Sequence, residues 1–127
     1  IHDSEVKSDR ITKSVAAEHT FDVNLSSEIF MVEQLENIAA VLEKRLKKHR
    51  IAGKTVTLKI KYSDFSQQTR SKTLPYFISD NGLILETVKE LLYQERLKDS
   101  VRLLGISLSN LNTEEKKTVV VQLKFAF

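Results

Sequence analysis

Basic side chains are concentrated in one segment of this 127-residue chain, from Lys54 to Thr73. The segment carries five basic residues against one acid, Asp64, so its local charge is +4, whereas the whole chain carries +3. The other residues therefore sum to −1, and the modest overall charge conceals a strongly basic segment. The five basic residues are Lys54, Lys59, Lys61, Arg70 and Lys72. Cationic groups beside threonine and serine hydroxyls are suited to binding phosphate oxygens.

The sequence periodicity predicts which of these basic side chains lie on the exposed face of a strand. Apolar and polar residues alternate from Lys54 to Phe65, as expected of a strand with one buried face. The residues expected on the buried face are Val56, Leu58, Ile60 and Tyr62. Those expected on the exposed face are Thr55, Thr57, Lys59 and Lys61. We therefore expect Lys59 and Lys61 on an uncovered sheet face that binds phosphates.

Other functions remain open for this face. A solvated face whose lysines protect a sheet edge from aggregation explains the same pattern, and so does a protein-binding surface. Single-stranded RNA is bound in many such sheets by stacking on exposed aromatic residues. Tyr62 falls on the buried parity, so sequence-independent contact with a phosphate backbone fits better. The run from Lys44 to Arg50 is a second candidate basic patch, although matching of the helix dipole also explains it.

Catalytic chemistry is not indicated by the residues present. The chain has no cysteine, and its three histidines, His2, His19 and His49, are too scattered to suggest metal ligands. Acids such as Glu28 and Glu33 form no pair with a positioned base. We expect neither a catalytic site nor a bound cofactor in this chain.

The order of elements predicts an α+β fold. A strand is expected over Lys13 to Phe21, then a helix from Ser26 or Ser27 to about Arg50, and a second strand from Lys54 to Phe65. A third strand, Gln68 to Leu74, is closed by Pro75, a second helix runs from Ser79 or Asp80 to about Arg96, and a last strand covers Val101 to Leu111. The inward residues expected of the two helices are Ile29, Val32, Leu35, Ala39, Leu42 and Leu46, and then Ile84, Val88 and Leu91. This order is the split β-α-β (ferredoxin-like) sandwich, a four-stranded antiparallel sheet with both helices on one face.

Length and composition indicate one domain within a longer protein. Residues 1 to 12 are polar without periodicity and are expected to be a linker, and the first residue is Ile rather than Met, which suggests a fragment. No stretch has the length and apolar character of a membrane helix or of a signal peptide. We expect a cytoplasmic monomer that does not associate with membranes.

Three strings resemble the little finger (polymerase-associated) domain of Y-family DNA polymerases, particularly of the bacterial polymerase IV group. They are KSVAAEHTF (13 to 21), VTLKIKYSDFSQQTRSKTL (56 to 74) and VRLLGISLSNL (101 to 111). Ala16 departs from the glycine expected in the first strand, which would slightly restrict backbone approach to phosphate.

The resemblance implies a little finger domain over residues 13 to 117, which grips primer-template duplex in the major groove through its phosphates. The DNA contacts that it implies lie at Lys13, Ser14, Val15, Arg70, Ser71, Lys72, Thr73, Val101 and Arg102, to which strand parity adds Lys59 and Lys61. It further implies that the parent protein is an error-prone translesion polymerase. Magnesium-dependent nucleotidyl transfer would then take place in a palm domain absent from this chain. An RNA-binding or protein-binding module of similar fold is the alternative.

The last ten residues, 118 to 127, alternate between apolar and polar side chains, which is typical of an added strand. They also resemble the segment by which polymerase IV docks into the sliding clamp, the β subunit. The residues that would dock are Gln122, Leu123, Phe125 and Phe127. Phe125 and Phe127 stand where leucines are expected, and a strand-like peptide can dock in extended form.

Overall fold

The computed structural model describes residues 14–112. The elements are β1 (Ser14–Leu25), α1 (Glu28–Lys48), β2 (Gly53–Tyr62), β3 (Gln67–Ile78), α2 (Asn81–Tyr93) and β4 (Val101–Leu111). The strands form one antiparallel sheet in the order β1-β4-β2-β3. Both crossover units are split, because β4 lies between β1 and β2 while β2 lies between β3 and β4. The predicted α+β class, with four antiparallel strands and two helices, is confirmed.

The core lies between the sheet and the two helices. On β2, Val56, Leu58 and Ile60 are completely buried, and the alternating residues are half-buried. Leu35 and Leu42 of α1 are equally buried. Tyr62 also enters this layer, where its hydroxyl donates a hydrogen bond to Gln68 Oε1 at 2.6 Å. The alternation of β2 thus assigns one sheet face to the core and leaves the opposite face open.

The buried stripe of α1 differs from the predicted one. Met31 and Ile38 are buried, although neither was expected in the stripe. Ile29 was expected to point inward, but its side chain is 72% exposed. Ile29 belongs to the first turn of α1, where its neighbour Phe30 is also exposed. Helix periodicity predicts spacing along a stripe, but it does not tell where along the helix the sheet begins to cover it.

Several boundaries also differ from the expectation. β1 extends to Leu25 rather than Phe21, and β2 ends at Tyr62 rather than Phe65. β3 continues through Pro75 to Ile78, because it is an edge strand, where a missing N–H need not break a sheet hydrogen bond. The pairing register shifts between Gly53 and Thr55, which absorbs the extra residues of β3. α2 ends at Tyr93 rather than near Arg96.

Capping contacts determine where α2 begins. Asp80 accepts a hydrogen bond from the Leu83 N–H at 3.2 Å, as an N-cap residue should. The Glu43 carboxylate of α1 accepts a second one from the Asn81 N–H at 3.0 Å. This hydrogen bond, assisted by Lys47, lowers the pKa of Glu43 below its ordinary value. The contact ties the start of α2 to the C-terminal part of α1.

Candidate nucleic-acid interface

The sheet face opposite the helices is termed the open face. Its residues follow from the strand register, since residues paired across antiparallel strands point to the same side. They form four rows across the sheet, each read in the order β1, β4, β2, β3. The rows are Ser14, Ser109, Thr55, Thr73; Ala16, Ser107, Thr57, Ser71; Glu18, Gly105, Lys59, Thr69; and Thr20, Leu103, Lys61, Gln67.

The first two rows are almost entirely hydroxyl-bearing and are termed the hydroxyl rows. Thr55 and Thr73 hydroxyls lie 2.9 Å apart, as do those of Thr57 and Ser71. These pairs keep the hydroxyls in place across β2 and β3, where each retains further capacity to donate or accept. Because the side chains are short, another backbone can approach the sheet closely.

The third and fourth rows carry the charge of the open face. Lys59 and Lys61 lie here, where strand parity predicts them. Lys59 Nζ is 3.3 Å from Glu18 Oε1, and this ion pair spans β4 at Gly105. A side chain at Gly105 would crowd the pair, since an ideal Cβ there would lie 3.0 Å from the Glu18 Cβ and 3.6 Å from the Lys59 Cβ. Among the described residues, Lys61 forms no ion pair.

Arg70 and Lys72, which the resemblance implied as DNA contacts, do not lie on the open face with Lys59 and Lys61. Both alternate with Ser71 and Thr73, and their side chains contact α2 on the helix-covered side. Lys72 Nζ lies 2.7 Å from Glu90 Oε2. The basic charge of the segment is therefore divided between the two faces of the sheet, and Lys59 and Lys61 carry the part on the open face.

Arg70 is a buried structural arginine with 6% of its surface exposed. Its Nη1 donates to the backbone oxygens of Leu91 and Leu92 at 2.8 and 2.9 Å, and it lies 3.2 Å from that of Glu95. Leu91 and Leu92 lie in the last turn of α2, where helix carbonyls lack partners within the helix and the dipole is negative, and Glu95 follows the end of the helix. The guanidinium is therefore not presented to a ligand on the open face.

Two valines expected at the interface also point away from it. Val101 is completely buried in the core, and Val15 is half-buried against it. Only their backbone groups could contact a ligand. Arg102 is half-buried at the start of β4, with its Cζ 4.2 Å from the centroid of the Phe65 ring.

Of the remaining predicted contacts, Ser14, Ser71 and Thr73 are exposed on the open face. Lys13 lies outside the described residues. The proposed clamp-binding residues Gln122, Leu123, Phe125 and Phe127 also lie outside them, as do the linker 1–12 and the segment 118–127. The structure thus brings together Ser14, Lys59, Lys61, Ser71 and Thr73.

Several residues of the open face were not singled out from the sequence. Ser107 and Ser109 of β4 and Thr69 of β3 extend the hydroxyl surface. The alternation of serine with Ile106 and Leu108 in β4 was the available signal, since period-two patterning marks a strand with one buried face. Glu18 was the less expected member, and it partly offsets the positive charge.

Some side chains of the second basic patch, from Lys44 to Arg50, contact other residues of the fold. Arg45 donates from its guanidinium to the backbone oxygen of Ala16 on the edge strand β1. Lys47 forms an ion pair with Glu43 at 3.3 Å. A nucleic-acid contact by this patch remains a prediction.

Residues 14–112 contain neither a metal-binding cluster nor a membrane-spanning helix. No group of three or more histidines and acids lies close enough there to hold a metal ion. Within the same range, no helix is both long and apolar enough to cross a membrane. Asp64 is engaged locally, because hydrogen bonds from the Ser66 hydroxyl and N–H lower the pKa of its carboxyl.

Comparison with known proteins identifies the family. Residues 12–125 match the impB/mucB/samB family C-terminal domain. The chain belongs to this family. A protein named DNA polymerase IV from Leptospira interrogans is 44% identical over 119 residues, covering 87% of this chain and 33% of its own length. Another of that name from Bacteroides fragilis is 38% identical over 125 residues, covering 96% of this chain and 34% of its own length. This family domain therefore spans about a third of the length of the curated relatives.

Solved structures share the fold. One, described as a complex of the β-clamp processivity factor and the little finger domain of polymerase IV, aligns with a TM-score of 0.64 at 21% identity. It covers 76% of this chain and 86% of that one. A post-insertion binary complex of Dbh DNA polymerase aligns with a TM-score of 0.57 at 16% identity, over 76% of this chain and 28% of the polymerase. The family domain thus has the little finger fold.

Proposed function

We propose that this chain is the DNA-gripping domain of a Y-family translesion polymerase. The observation that carries the proposal is the open face, where the hydroxyl rows adjoin Lys59 and Lys61 on a sheet surface left uncovered by the helices. Family membership supports a polymerase as the parent protein. The domain would work in the bacterial cytoplasm, where the DNA is.

Binding would proceed through the phosphate backbone of primer-template duplex. Lys59 and Lys61 supply charge, and the hydroxyls of Ser14, Ser71 and Thr73 donate hydrogen bonds to phosphate oxygens. Contacts of this kind go to phosphate groups, which are the same at every base pair. The grip would therefore be independent of sequence, as a polymerase that moves along its template requires.

Chemistry would belong to the parent protein. Its other domains would hold the magnesium ions and catalyse template-directed nucleotidyl transfer, since the described residues offer no cluster of acids for a metal. The domain proposed here keeps the duplex bound while that chemistry takes place.

The C-terminal residues Gln122, Leu123, Phe125 and Phe127 would dock to the sliding clamp. The sequence pattern motivates this proposal, and a solved complex of a clamp with a polymerase IV little finger domain supports it. The same parent protein would then be bound to DNA and clamp together.

The DNA-binding proposal is tested by fluorescence anisotropy with a labelled primer-template duplex over a range of salt concentrations. In Lys59→Gln and in Lys61→Gln, the slope of log K against log salt should become less steep by about 0.9 for each phosphate that the variant no longer neutralises. Lys72→Gln is the matched control, because Lys72 lies on the helix side, and its slope should equal that of the wild type. Salt-independent or absent duplex binding would overturn the proposal. Preference for structured RNA in competition would favour the RNA-binding alternative.

Clamp docking is tested by surface plasmon resonance with immobilised clamp. Replacing Gln122 and Phe127 with alanine should abolish clamp binding while leaving duplex affinity unchanged. Wild-type clamp affinity in the double variant would remove this assignment.

A further inference from the structure

The turn between β2 and β3 places an aromatic residue where a hairpin favours glycine. The Tyr62 N–H donates to the Ser66 oxygen at 2.9 Å, and the Phe65 N–H donates to the Tyr62 oxygen at 2.9 Å. This pattern is a three-residue loop whose last residue is left-handed, and Phe65 has φ 72°. Glycine adopts that conformation without a steric penalty, whereas phenylalanine does not.

Neither the turn nor the core accounts for a phenylalanine at this position. Asp64 already holds the turn, because its Oδ1 accepts from the N–H and hydroxyl of Ser66 at 2.9 and 2.6 Å. The Phe65 side chain is 64% exposed and does not belong to the hydrophobic core. The turn therefore holds an exposed aromatic residue in a strained conformation without burying it in the core.

The contact that Phe65 makes is with Arg102. The Arg102 Cζ lies 4.2 Å from the ring centroid, within the range of a cation–π interaction. The fold brings the two together, since the Ser63 N–H donates to the Ser100 oxygen at 2.9 Å beside the start of β4. The Arg102 Nε is buried without a hydrogen-bond partner in residues 14–112. Among those residues, Arg102 also forms no ion pair.

The pair lies at the charged end of the open face. Lys61 is paired across the sheet with Leu103, the residue that follows Arg102. A guanidinium that lies over a ring keeps its terminal Nη N–H groups available at its edge, and these match the geometry of a phosphate. The ring also fixes a long side chain that would otherwise lose rotamer freedom on binding.

We propose that Phe65 is a positioning residue that holds the Arg102 guanidinium against its ring, oriented to donate hydrogen bonds to a backbone phosphate of bound duplex. This inference rests on the proposed DNA-binding function, and it adds the role of Phe65 to the Arg102 contact that the family resemblance implies. Phe65 itself does not have to touch the DNA.

Four single variants and one double variant of the full chain test it, with the primer-template duplex as probe. Phe65→Leu retains apolar bulk but lacks the ring, Phe65→Tyr retains the ring, Phe65→Gly removes the ring and relieves the left-handed strain, and Arg102→Gln removes the charge. Leu and Gly at position 65 should weaken binding roughly three- to tenfold and lower the salt slope by about 0.9, and Arg102→Gln should have the same effect. Phe65→Tyr should match the wild type. The double variant of Phe65→Leu with Arg102→Gln should bind no more weakly than Arg102→Gln alone.

The outcomes separate this inference from the function on which it rests. If the wild type lacks salt-dependent duplex binding, the proposed function is wrong. If the wild type binds but Phe65→Leu and Phe65→Gly keep its salt slope, only the role of Phe65 is wrong. Additive losses of affinity in the double variant also overturn it. Thermal unfolding of Phe65→Gly near the wild-type midpoint shows that any reduced affinity does not come from unfolding.

Discussion

Removing the buried guanidinium of Arg70 should destabilise the fold without weakening DNA binding. Arg70→Met is the appropriate change, because methionine keeps an unbranched apolar stem in the buried site. The guanidinium Nη1 lies 2.8 and 2.9 Å from two backbone carbonyl oxygens in the last turn of α2, and 3.2 Å from a third just beyond it. The change leaves these carbonyls without their hydrogen-bond donor, where the C-terminal end of α2 packs against β3.

The magnitude follows from the number of hydrogens available. Nη1 carries two, so three acceptors share about two full hydrogen bonds. Hydrogen bonds to a charged group contribute roughly 1.5 to 3 kcal/mol each, so removing them costs about 3 to 6 kcal/mol. Part of this loss is offset, because the variant no longer buries a charge. It also no longer buries the Arg70 Nε, which has no hydrogen-bond partner among the described residues. We expect a net loss of about 3 kcal/mol in the free energy of unfolding, against roughly 5 to 15 kcal/mol for a typical domain.

The assay is urea denaturation followed by circular dichroism, comparing the free energy of unfolding of Arg70→Met and wild type at equal m-values. Lys72→Met is the matched control on the same strand, since its ion pair with Glu90 is exposed and should contribute less than about 1 kcal/mol. If Arg70→Met lost no more stability than Lys72→Met and instead weakened duplex binding, Arg70 would be a DNA contact and the structural assignment would be wrong.

Three further changes test other parts of the molecule. Glu43→Gln should remove a pH dependence of stability. The hydrogen bond from the Asn81 N–H lowers the pKa of Glu43 below 4.5. The ionised carboxylate therefore stabilises the fold fully above pH 4.5, and this contribution is lost as the pH falls through the lowered pKa. Thermal unfolding between pH 7 and 3 measures this, and equal pH dependence in wild type and variant would contradict it. Glu18→Gln should tighten duplex binding and steepen its salt dependence, because it removes the ion-pair partner of Lys59 on the open face. Fluorescence anisotropy measures the duplex affinity, and weaker binding would refute this expectation. Gly53→Ala should cost about 1 to 3 kcal/mol of stability, because an ideal Cβ there lies 2.8 Å from a backbone oxygen of β4; unchanged urea denaturation would contradict the expected clash.

The sequence alone determined the element order and the face assigned to β2. Val56, Leu58 and Ile60 alternate with polar residues so strongly that only one face could be buried, and Lys59 and Lys61 followed from the same parity. β4 was predicted at its observed bounds, Val101 to Leu111, because Gly and Ser alternate there with apolar residues. Local periodicity is sufficient to predict the buried face of a strand when every second residue is apolar.

Tertiary structure alone decided the role of the β3 cations. From Gln67 to Thr73 every residue is polar, so periodicity does not distinguish the helix-facing parity from the open one. The strand order and the carbonyls that end α2 make the choice, because they give Arg70 hydrogen-bond partners in a buried place. The contact between Phe65 and Arg102 likewise joins residues 37 positions apart through the fold. Such contacts depend on which elements become neighbours, and no local pattern in the chain records that.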